Sequence, residues 1–267
     1  MPELPDVEGF RRVASRASGH RVERVDVADA TVLRGTNGRR LRHALRHAVL
    51  GTPRRHGKLL ALPVRAAGRK HRHDEPSLVL HFGMTGSLSW CSGDESRHRH
   101  DRLVLATGGG ELRYRDMRKL QGVRLASDDE QLTEVFGELG PDAAGLGRAE
   151  LAELLRQPRA AVKSVLMDQR LVAGLGNLTV DEILWRARIG PARPARELTH
   201  PERSRLHRAM STVLRQSVPA GRVPDRPSWL TGHRDEHAGR CPRCGTRLRR
   251  TRAGGRGTAS CPRCQPS

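Results

Sequence analysis

Four of the five cysteines stand in two closely spaced pairs near the C-terminus, Cys241 with Cys244 and Cys261 with Cys264. Each pair reads Cys-Pro-Arg-Cys, and sixteen residues separate the two pairs. Two thiolates at this spacing can bind one metal ion, and two such pairs complete a tetrahedral zinc site. Two disulfides are the alternative, which a reducing compartment disfavours. The spacing therefore predicts one structural Zn²⁺ ion, while Cys91 is an incidental thiol.

The N-terminal stretch "MPELPDVE" also carries groups that could do chemistry. Removal of Met1 exposes the secondary amine of Pro2, and a terminal amine has a pKa of about 8, so part of it is unprotonated at neutral pH. Glu3 places a carboxyl group beside that amine, where it could donate a proton. Met-Pro openings are also common without any such role, so the rest of the chain has to decide.

The composition favours an anionic partner. The 267 residues carry a formal charge of +20, with 49 basic and 29 acidic side chains. Such an excess points to nucleic acid. Aromatic residues make up only 3%, too few to stack successive single-stranded bases, so duplex DNA fits better. The arginines are spread along the chain, unlike a membrane-binding helix, and the sequence has neither a long apolar run nor a secretory signal. We therefore expect no membrane contact and a cytoplasmic location.

The elements that must position these groups fall into strands followed by helices. Residues 4–17 read as a helix, and five short apolar segments between about 20 and 125 read as strands, which predicts a β-sandwich or barrel. From about 148 to 218 the pattern is helical, and Gly174 and Gly176 in "LVAGLGN" can supply a tight turn between two helices. The "GGRG" stretch between the cysteine pairs predicts the tip of a β-hairpin that carries Arg256. The polar segment 65–76 predicts a surface loop.

Six segments occur in the order seen in one enzyme family. They are "PELPDVE", "GKLLAL", "HFGMTGSL", "RYRDMRKL", "LMDQRLVAGLGN" and the terminal "CPRCG…GGRGT…CPRC". The chain resembles the formamidopyrimidine-DNA glycosylase and endonuclease VIII family. The resemblance implies an α+β fold with an N-terminal two-sheet β-sandwich and flanking helices (residues 1–135), a helical helix–two-turn–helix module (145–235) and a four-cysteine zinc finger (236–267).

The resemblance also implies a function, that of a bifunctional DNA glycosylase and abasic-site lyase acting on damaged double-stranded DNA in base excision repair. Pro2 matches the family's nucleophile and Glu3 its general acid. Lys58 and Arg256 match groups that assist β- and δ-elimination. Six further positions match DNA-binding side chains of the family: Met84, His100, Arg118, Leu120, Arg159 and Asn177. Of these, Met84, Arg118 and Leu120 match the side chains that fill the gap that a flipped base leaves.

Three positions depart from the family pattern. Asp6 stands where glutamate is common, Leu120 where phenylalanine is common, and Lys119 where arginine is common. A shorter acid and a smaller wedge leave room for a non-catalytic damage-binding protein of the same fold. A zinc-ribbon protein of the ribosome or of transcription explains the charge and the cysteines, but it leaves "PELPDVE" unexplained. The damaged base and the preferred opposite base stay open, with a slight preference for oxidised purines. A monomer associated with the bacterial nucleoid is expected.

Overall fold

The computed structural model describes residues 1–65 and 75–266. Most of the loop predicted over 65–76 lies outside the described residues. Two compact units make up the chain: residues 1–2 with 6–138, and residues 3–5 with 139 onward. The division falls inside the first helix, α1 (Leu4–Ser15), whose first two residues belong to the second unit. The α+β fold class is confirmed.

The first unit contains two antiparallel sheets. One has the strand order β1-β7-β8-β6, and the other has the order β2-β4-β5-β9 with β3 added on β4. The strands are β1 (Val22–Val27), β2 (Val49–Leu50), β3 (Arg54–His56), β4 (Leu59–Arg65), β5 (Ser77–His81), β6 (Ser87–Cys91), β7 (Asp101–Thr107), β8 (Gly110–Arg115) and β9 (Gly122–Ala126). Two helices accompany them, α2 (Gly38–Leu45) and α3 (Asp129–Gly137).

Alternation along the central strands builds the core of this unit. Successive side chains of a strand point to opposite faces. In β4, Leu60 and Leu62 face the main core, which also takes side chains from α1, α2 and the other sheet. Ala61 faces the opposite way, into a smaller cluster with Val79 of β5 and Leu132 of α3. Both faces of β4 are therefore covered, which explains why it reads as a continuous apolar run.

The second unit is helical and ends in a hairpin. Its helices are α4 (Arg148–Leu154), α5 (Val162–Met167), α6 (Asn177–Ala187) and α7 (His200–Ala220). The predicted apolar face of α6 is confirmed, because Val180, Ile183, Leu184 and Ala187 are all buried in one cluster. The linker-like segment after α7 contains a short 3₁₀ turn, Leu230–Gly232, rather than coil throughout. Within the described residues, no helix is both long and apolar enough to cross a membrane.

The hairpin between the cysteine pairs consists of β10 (Arg249–Ala253) and β11 (Arg256–Ser260), joined at Gly254 and Gly255. Both glycines have positive φ, +59° and +70°, as a tight hairpin turn requires. Arg256 pairs with Ala253 and is the first residue after the turn. The predicted position of Arg256 at the hairpin tip is confirmed.

Candidate functional site

The Glu3 carboxylate in the second unit lies at the N-terminus of α6. Oε1 accepts the backbone N–H of Leu178 at 2.8 Å, and Oε2 accepts that of Thr179 at 3.0 Å. The Thr179 hydroxyl also donates to Oε2. A helix N-terminus presents unpaired N–H groups and a partial positive charge, so it holds a carboxylate well. Glu3 is 1% exposed, and a peptide bond joins it to Pro2, the candidate nucleophile.

The two glycines of "LVAGLGN" make room for this arrangement. At Gly176 a Cβ would lie 2.2 Å from Cδ of Glu3, although the backbone there is extended (φ −128°) and open to any residue. At Gly174 a Cβ would lie 2.6 Å from Cδ1 of Leu4, and φ is +105°. Leu4 N–H donates to the Gly174 carbonyl at 3.0 Å. The prediction of a flexible turn thus holds for Gly174, whereas Gly176 is needed for space.

The four thiols of Cys241, Cys244, Cys261 and Cys264 converge within 4.8 Å of one another. Zn–S bonds of about 2.3 Å in a tetrahedron place sulfur atoms about 3.8 Å apart. Cys244 and Cys261 are 3.5 Å apart, and Cys241 and Cys264 are 3.9 Å apart, so the donor set fits one Zn²⁺ ion. All five cysteines are unpaired, which excludes the disulfide alternative among the described residues.

The environment of the thiols also suits a bound cation. Trp185 of α6 donates its indole N–H to Cys241 Sγ at 3.3 Å, and Cys264 N–H points at Cys261 Sγ at 3.4 Å. Such donors orient thiolate ligands and spread their negative charge. The ion is structural, because four protein ligands leave no open position. Its role is to hold the hairpin that carries Arg256.

In the second unit, a hydrogen bond joins Asn177 to the residue that follows Arg256. Arg159 lies on a different segment, before α5. Asn177 is the first residue of α6, and its Nδ2 donates to the carbonyl of Gly257 at 3.0 Å. Gly257 follows Arg256, whose side chain is exposed. The Asn177 amide therefore binds the backbone carbonyl of the residue that follows Arg256. Arg159 is exposed and lies three residues before the start of α5 at Val162.

In the first unit, two loops are tied together by buried polar groups. Thr85 donates its hydroxyl to Oδ1 of the fully buried Asp116 at 2.6 Å. The Arg118 N–H points at both the Thr85 hydroxyl and Asp116 Oδ1, at 3.1 Å each. Arg34 Nη2 donates to the Lys119 carbonyl at 2.8 Å, and Lys119 has a left-handed φ of +52°. The loop from 116 to 120 is therefore fixed from both ends.

This fixed loop presents apolar side chains to solvent. Within the described residues, the large apolar side chains that are exposed are Met1, Met84, Met117 and Leu120. Met84 adjoins Thr85, and Met117 adjoins Asp116, so both flank the 2.6 Å hydrogen bond between the two loops. Leu120 (50% exposed) follows in the same loop, as does the exposed Arg118. Met84, Arg118 and Leu120 are predicted from the sequence, whereas Met117 (54% exposed) is not.

Lys119 is held by an acidic partner. Its Nζ lies 2.9 Å from Asp29 Oδ2, and Arg102 Nη1 lies 3.4 Å from the same oxygen. The Thr31 hydroxyl and Lys119 lower the pKa of Asp29, so the carboxylate stays charged. Lysine in place of arginine therefore acts as an anchor for the loop.

Lys58 lies in the tight turn between β3 and β4, next to His81 on the neighbouring strand. Leu59 pairs with His81 across β4 and β5. Burial, followed by the charges of Lys58 and Arg124, lowers the His81 pKa to about 4. The ring Nδ1 accepts the Gly83 N–H at 2.9 Å, which leaves the proton on Nε2. His81 is not predicted from the sequence, where it stands at the end of an apolar strand two residues before Gly83.

His100 lies in a cationic cluster. Its Nδ1 is 2.9 Å from Arg102 Nη2, and Arg99 Nε is 3.2 Å from its Nε2. Partial burial, followed by these arginines, lowers the His100 pKa. Arg102 Nε also donates to the Asp116 carbonyl at 2.8 Å, which connects the cluster to the fixed loop. The first unit thus carries a basic surface beside its exposed apolar side chains.

Comparison with known proteins identifies the chain. The formamidopyrimidine-DNA glycosylase N-terminal domain matches residues 1–123, the formamidopyrimidine-DNA glycosylase H2TH domain matches 139–225, and the zinc finger found in FPG and IleRS matches 239–266. The chain belongs to the formamidopyrimidine-DNA glycosylase family. As a member of this family it is a DNA glycosylase of base excision repair, and the finger confirms the predicted structural zinc ion.

Curated relatives align with this chain over nine-tenths or more of their length. The formamidopyrimidine-DNA glycosylase of Symbiobacterium thermophilum is 35% identical over 100% of this chain and 90% of the relative. That of Geobacter metallireducens is 35% identical over 99% of this chain and 100% of the relative. The function predicted from the six segments is therefore confirmed at the level of the family.

Solved structures of Lactococcus lactis formamidopyrimidine-DNA glycosylase have the same fold. A point mutant of that enzyme in complex with Fapy-dG-containing DNA gives a TM-score of 0.88 at 28% identity, covering 100% of both chains. The enzyme bound non-covalently to abasic-site DNA gives 0.87 at 28% identity, covering 99% of this chain and 100% of that one. DNA is therefore the partner of this fold, as the charge predicts.

Proposed function

We propose that this glycosylase removes oxidised or ring-opened purines from duplex DNA and then cleaves the strand at the abasic site. The position of Glu3 carries the proposal. Its carboxylate is held at the N-terminus of α6 by three donors, directly beside the residue whose amine becomes the terminus once Met1 is removed. Met1 is exposed and accessible to removal. The purine preference is supported by the names of the relatives and by the Fapy-dG duplex bound to one of them.

The chemistry begins at Pro2. Its nitrogen lone pair attacks C1′ of the flipped nucleotide as the bond from C1′ to the base breaks. The base leaves with the bonding electron pair and takes up the proton that the proline nitrogen loses. Glu3 delivers a proton to the sugar ring oxygen as the ring opens, which leaves an iminium ion between C1′ and the proline nitrogen. Because that nitrogen is secondary, the iminium stays cationic at every pH and acts as an electron sink.

Elimination follows from the electron sink. Loss of a proton from C2′ expels the 3′ phosphate, and loss of the C4′ proton then expels the 5′ phosphate. Lys58 assists the first elimination through the lesion-side phosphate, and Arg256 assists the second. His81, neutral at physiological pH and carrying its proton on Nε2, is an additional phosphate donor next to Lys58.

DNA binding is shared among several groups. His100, Arg159 and Asn177 contact backbone phosphates, which give affinity without sequence preference. Extrusion of a base leaves a gap in the stack. Met84, Arg118 and Leu120 fill it, and Met117 adds apolar surface that the smaller Leu120 lacks.

We propose three functional modules at 1–135, 145–235 and 236–267, a monomer in solution, and a cytoplasmic, nucleoid-associated location. Light scattering during size-exclusion chromatography tests the monomer.

A nicking assay tests the activity. Duplexes containing one ring-opened purine, one oxidised pyrimidine or one abasic site are incubated with protein whose Met1 has been removed. We expect cleavage of the abasic duplex and of the ring-opened purine duplex, with slower cleavage of the pyrimidine duplex. Tight binding without any cleavage would favour the non-catalytic damage-binding alternative.

A further inference from the structure

The Gly257 carbonyl accepts hydrogen bonds from three side chains on three different segments. Lys163 Nζ of α5 lies 3.2 Å from it, Asn177 Nδ2 of α6 lies 3.0 Å away, and Arg234 Nη2 lies 3.2 Å away. A carbonyl oxygen has two lone pairs, so three donors exceed what its satisfaction requires. Gly257 follows Arg256 directly, and these bonds therefore act on the backbone beside the exposed guanidinium.

The donors are joined below the hairpin by one buried carboxylate. Asp181 Oδ1 lies 2.6 Å from Lys163 Nζ, and its Oδ2 lies 2.9 Å from Arg234 Nε. Asp181 Oδ2 also accepts the Ala259 N–H of β11 at 3.2 Å, and Lys163 Nζ donates to the Thr258 hydroxyl at 2.8 Å. The cluster thus contacts three consecutive residues of β11, from 257 to 259.

Two cations meet at one buried anion in the cluster. The Lys163 and Asp181 side chains are 0% exposed and that of Arg234 is 12% exposed, and Arg234 Nη1 also lies 2.8 Å from Oδ1 of the exposed Asp235. Burial lowers the Lys163 pKa, against the opposing effect of Asp181. A buried ion pair is often no more stabilising than well-packed apolar side chains of the same volume, because its charges lose their hydration. Stability alone therefore does not explain the cluster. The cluster instead fixes the geometry of the strand that it contacts.

The hairpin has few other attachments. The residues of β10 from 249 to 252 are exposed, and only the second half of β11 is buried. At the turn, a Cβ on Gly254 would lie 2.4 Å from Ser164 Oγ, so the backbone touches α5 there. In addition to the four cysteines that flank the hairpin, this contact and the cluster at Gly257 therefore set the position of Arg256 relative to Asn177.

We propose that Arg234 is a positioning residue that holds the Gly257 backbone so that Arg256 reaches its phosphate during the second elimination. This inference rests on the proposed lyase function and on the role proposed there for Arg256. Arg234 suits the task because its Nε donates to Asp181 Oδ2 while its Nη2 donates to the Gly257 carbonyl, so one planar group with fixed geometry joins the two acceptors. Its loss leaves Pro2 and Glu3 untouched.

The test compares three variants on an abasic duplex: Arg234→Met, Arg234→Lys and the control Arg243→Met. Arg243 stacks 4.3 Å from the Trp185 ring and donates to the Trp185 carbonyl at 3.2 Å, so its loss removes the same charge from the same unit. Single-turnover reactions give three quantities for each protein: the rate of borohydride trapping, the rate of β-elimination and the ratio of δ- to β-elimination product. Zinc content and melting temperature are measured alongside.

We expect Arg234→Met to trap within twofold of the unsubstituted protein while its δ-to-β ratio falls at least fivefold, towards that of Arg256→Ala. Arg234→Lys recovers part of the ratio, and Arg243→Met keeps all of it. An unchanged ratio in Arg234→Met overturns the proposal. A parallel fall of trapping, both eliminations and melting temperature also overturns it, since that is a general structural effect. If the unsubstituted protein neither traps nor cleaves, the proposed function itself fails and the inference fails with it.

Discussion

The carboxylate of Glu3 and the backbone N–H of Leu178 are 2.8 Å apart, so the second residue of the processed chain is bound to the first turn of α6. This contact joins residues 175 positions apart in the sequence. The contact holds the candidate acid at a helix terminus and not on a flexible surface loop. It requires a glycine at position 176.

Replacing Gly176 with alanine tests that requirement. The new Cβ would lie 2.2 Å from Cδ of Glu3, so the carboxylate has to leave the helix terminus. We expect excision to fall by roughly 100-fold or more, the scale of a lost general acid. The matched control is Gly147→Ala, because Gly147 is the residue before α4 and nothing lies within 4 Å of its Cβ position. Equal activity of the two variants would contradict the account.

Glu3→Gln separates base excision from strand cleavage. Glutamine cannot donate a proton as an acid, and its NH₂ group meets N–H donors from Leu178 or Thr179, where the structure needs an acceptor. We expect excision from a lesion duplex to fall by about 10²–10⁴-fold, and cleavage of a preformed abasic site to fall less. Rates on both duplexes under single-turnover conditions decide the matter. An equal loss on both would show that Glu3 acts at a step that the two substrates share.

The lowered pKa of His81 predicts a pH-dependent stability. The folded pKa is about 4 against an ordinary 6.5, so between these values the unfolded chain binds a proton that the folded chain does not. The free energy of unfolding therefore falls as the pH drops from 6.5 towards 4, by about 3 kcal/mol at about 1.4 kcal/mol per unit. In His81→Asn, whose amide oxygen can accept the Gly83 N–H, this part of the slope disappears. Urea unfolding of both proteins at several pH values measures it, and identical slopes would refute the prediction.

Met117 predicts an effect on base flipping without an effect on folding. Its side chain is 54% exposed, so Met117→Ala leaves the melting temperature nearly unchanged. Loss of its contact with the base stack costs about 1 kcal/mol, or roughly fivefold in excision. The fluorescence of 2-aminopurine placed opposite the lesion reports the stacking directly. Met117→Leu should retain most of the excision rate, since leucine keeps an apolar side chain at this position. An identical fluorescence change in the unsubstituted protein and both variants would show that Met117 lies outside the gap.

Removal of zinc should disable DNA binding before it unfolds the chain. The four thiols hold the finger, whereas the helical core of the second unit has its own apolar cluster. We expect chelation, or Cys244→Ser, to lower affinity for an abasic duplex more than tenfold while the helical circular dichroism signal persists. Metal analysis and fluorescence anisotropy measure both quantities. Full affinity in metal-free protein would contradict the role given to the finger.

Much of the fold could be predicted from the sequence because it follows local patterns of apolar residues and of cysteine spacing. The strands β4, β5, β7 and β8 alternate or run apolar, and the cysteine spacing defined the finger. Helices α2 and α3 were not predicted, because α2 carries arginine and histidine at most of its exposed positions and α3 is short. Their few buried side chains are recognised only once the sheets they cover are known.

The site residues that stand in the family motifs could be predicted from the sequence. The features that arise from contacts between distant segments could not. Pro2, Glu3 and the cysteines stand out in the sequence. The steric need for Gly176, the clustering at the Gly257 carbonyl and the exposure of Met117 depend on segments far apart in the chain. No periodicity or spacing encodes them, since each arises from the approach of one backbone to another.

Borohydride trapping on a duplex with one abasic site decides whether Pro2 is the nucleophile, using protein whose Met1 removal has been confirmed by mass spectrometry. We expect a covalent adduct that maps to Pro2 and that is absent from protein retaining Met1, because an acylated proline nitrogen is not a nucleophile. An adduct on a lysine, or an equal yield from protein that retains Met1, would contradict this expectation.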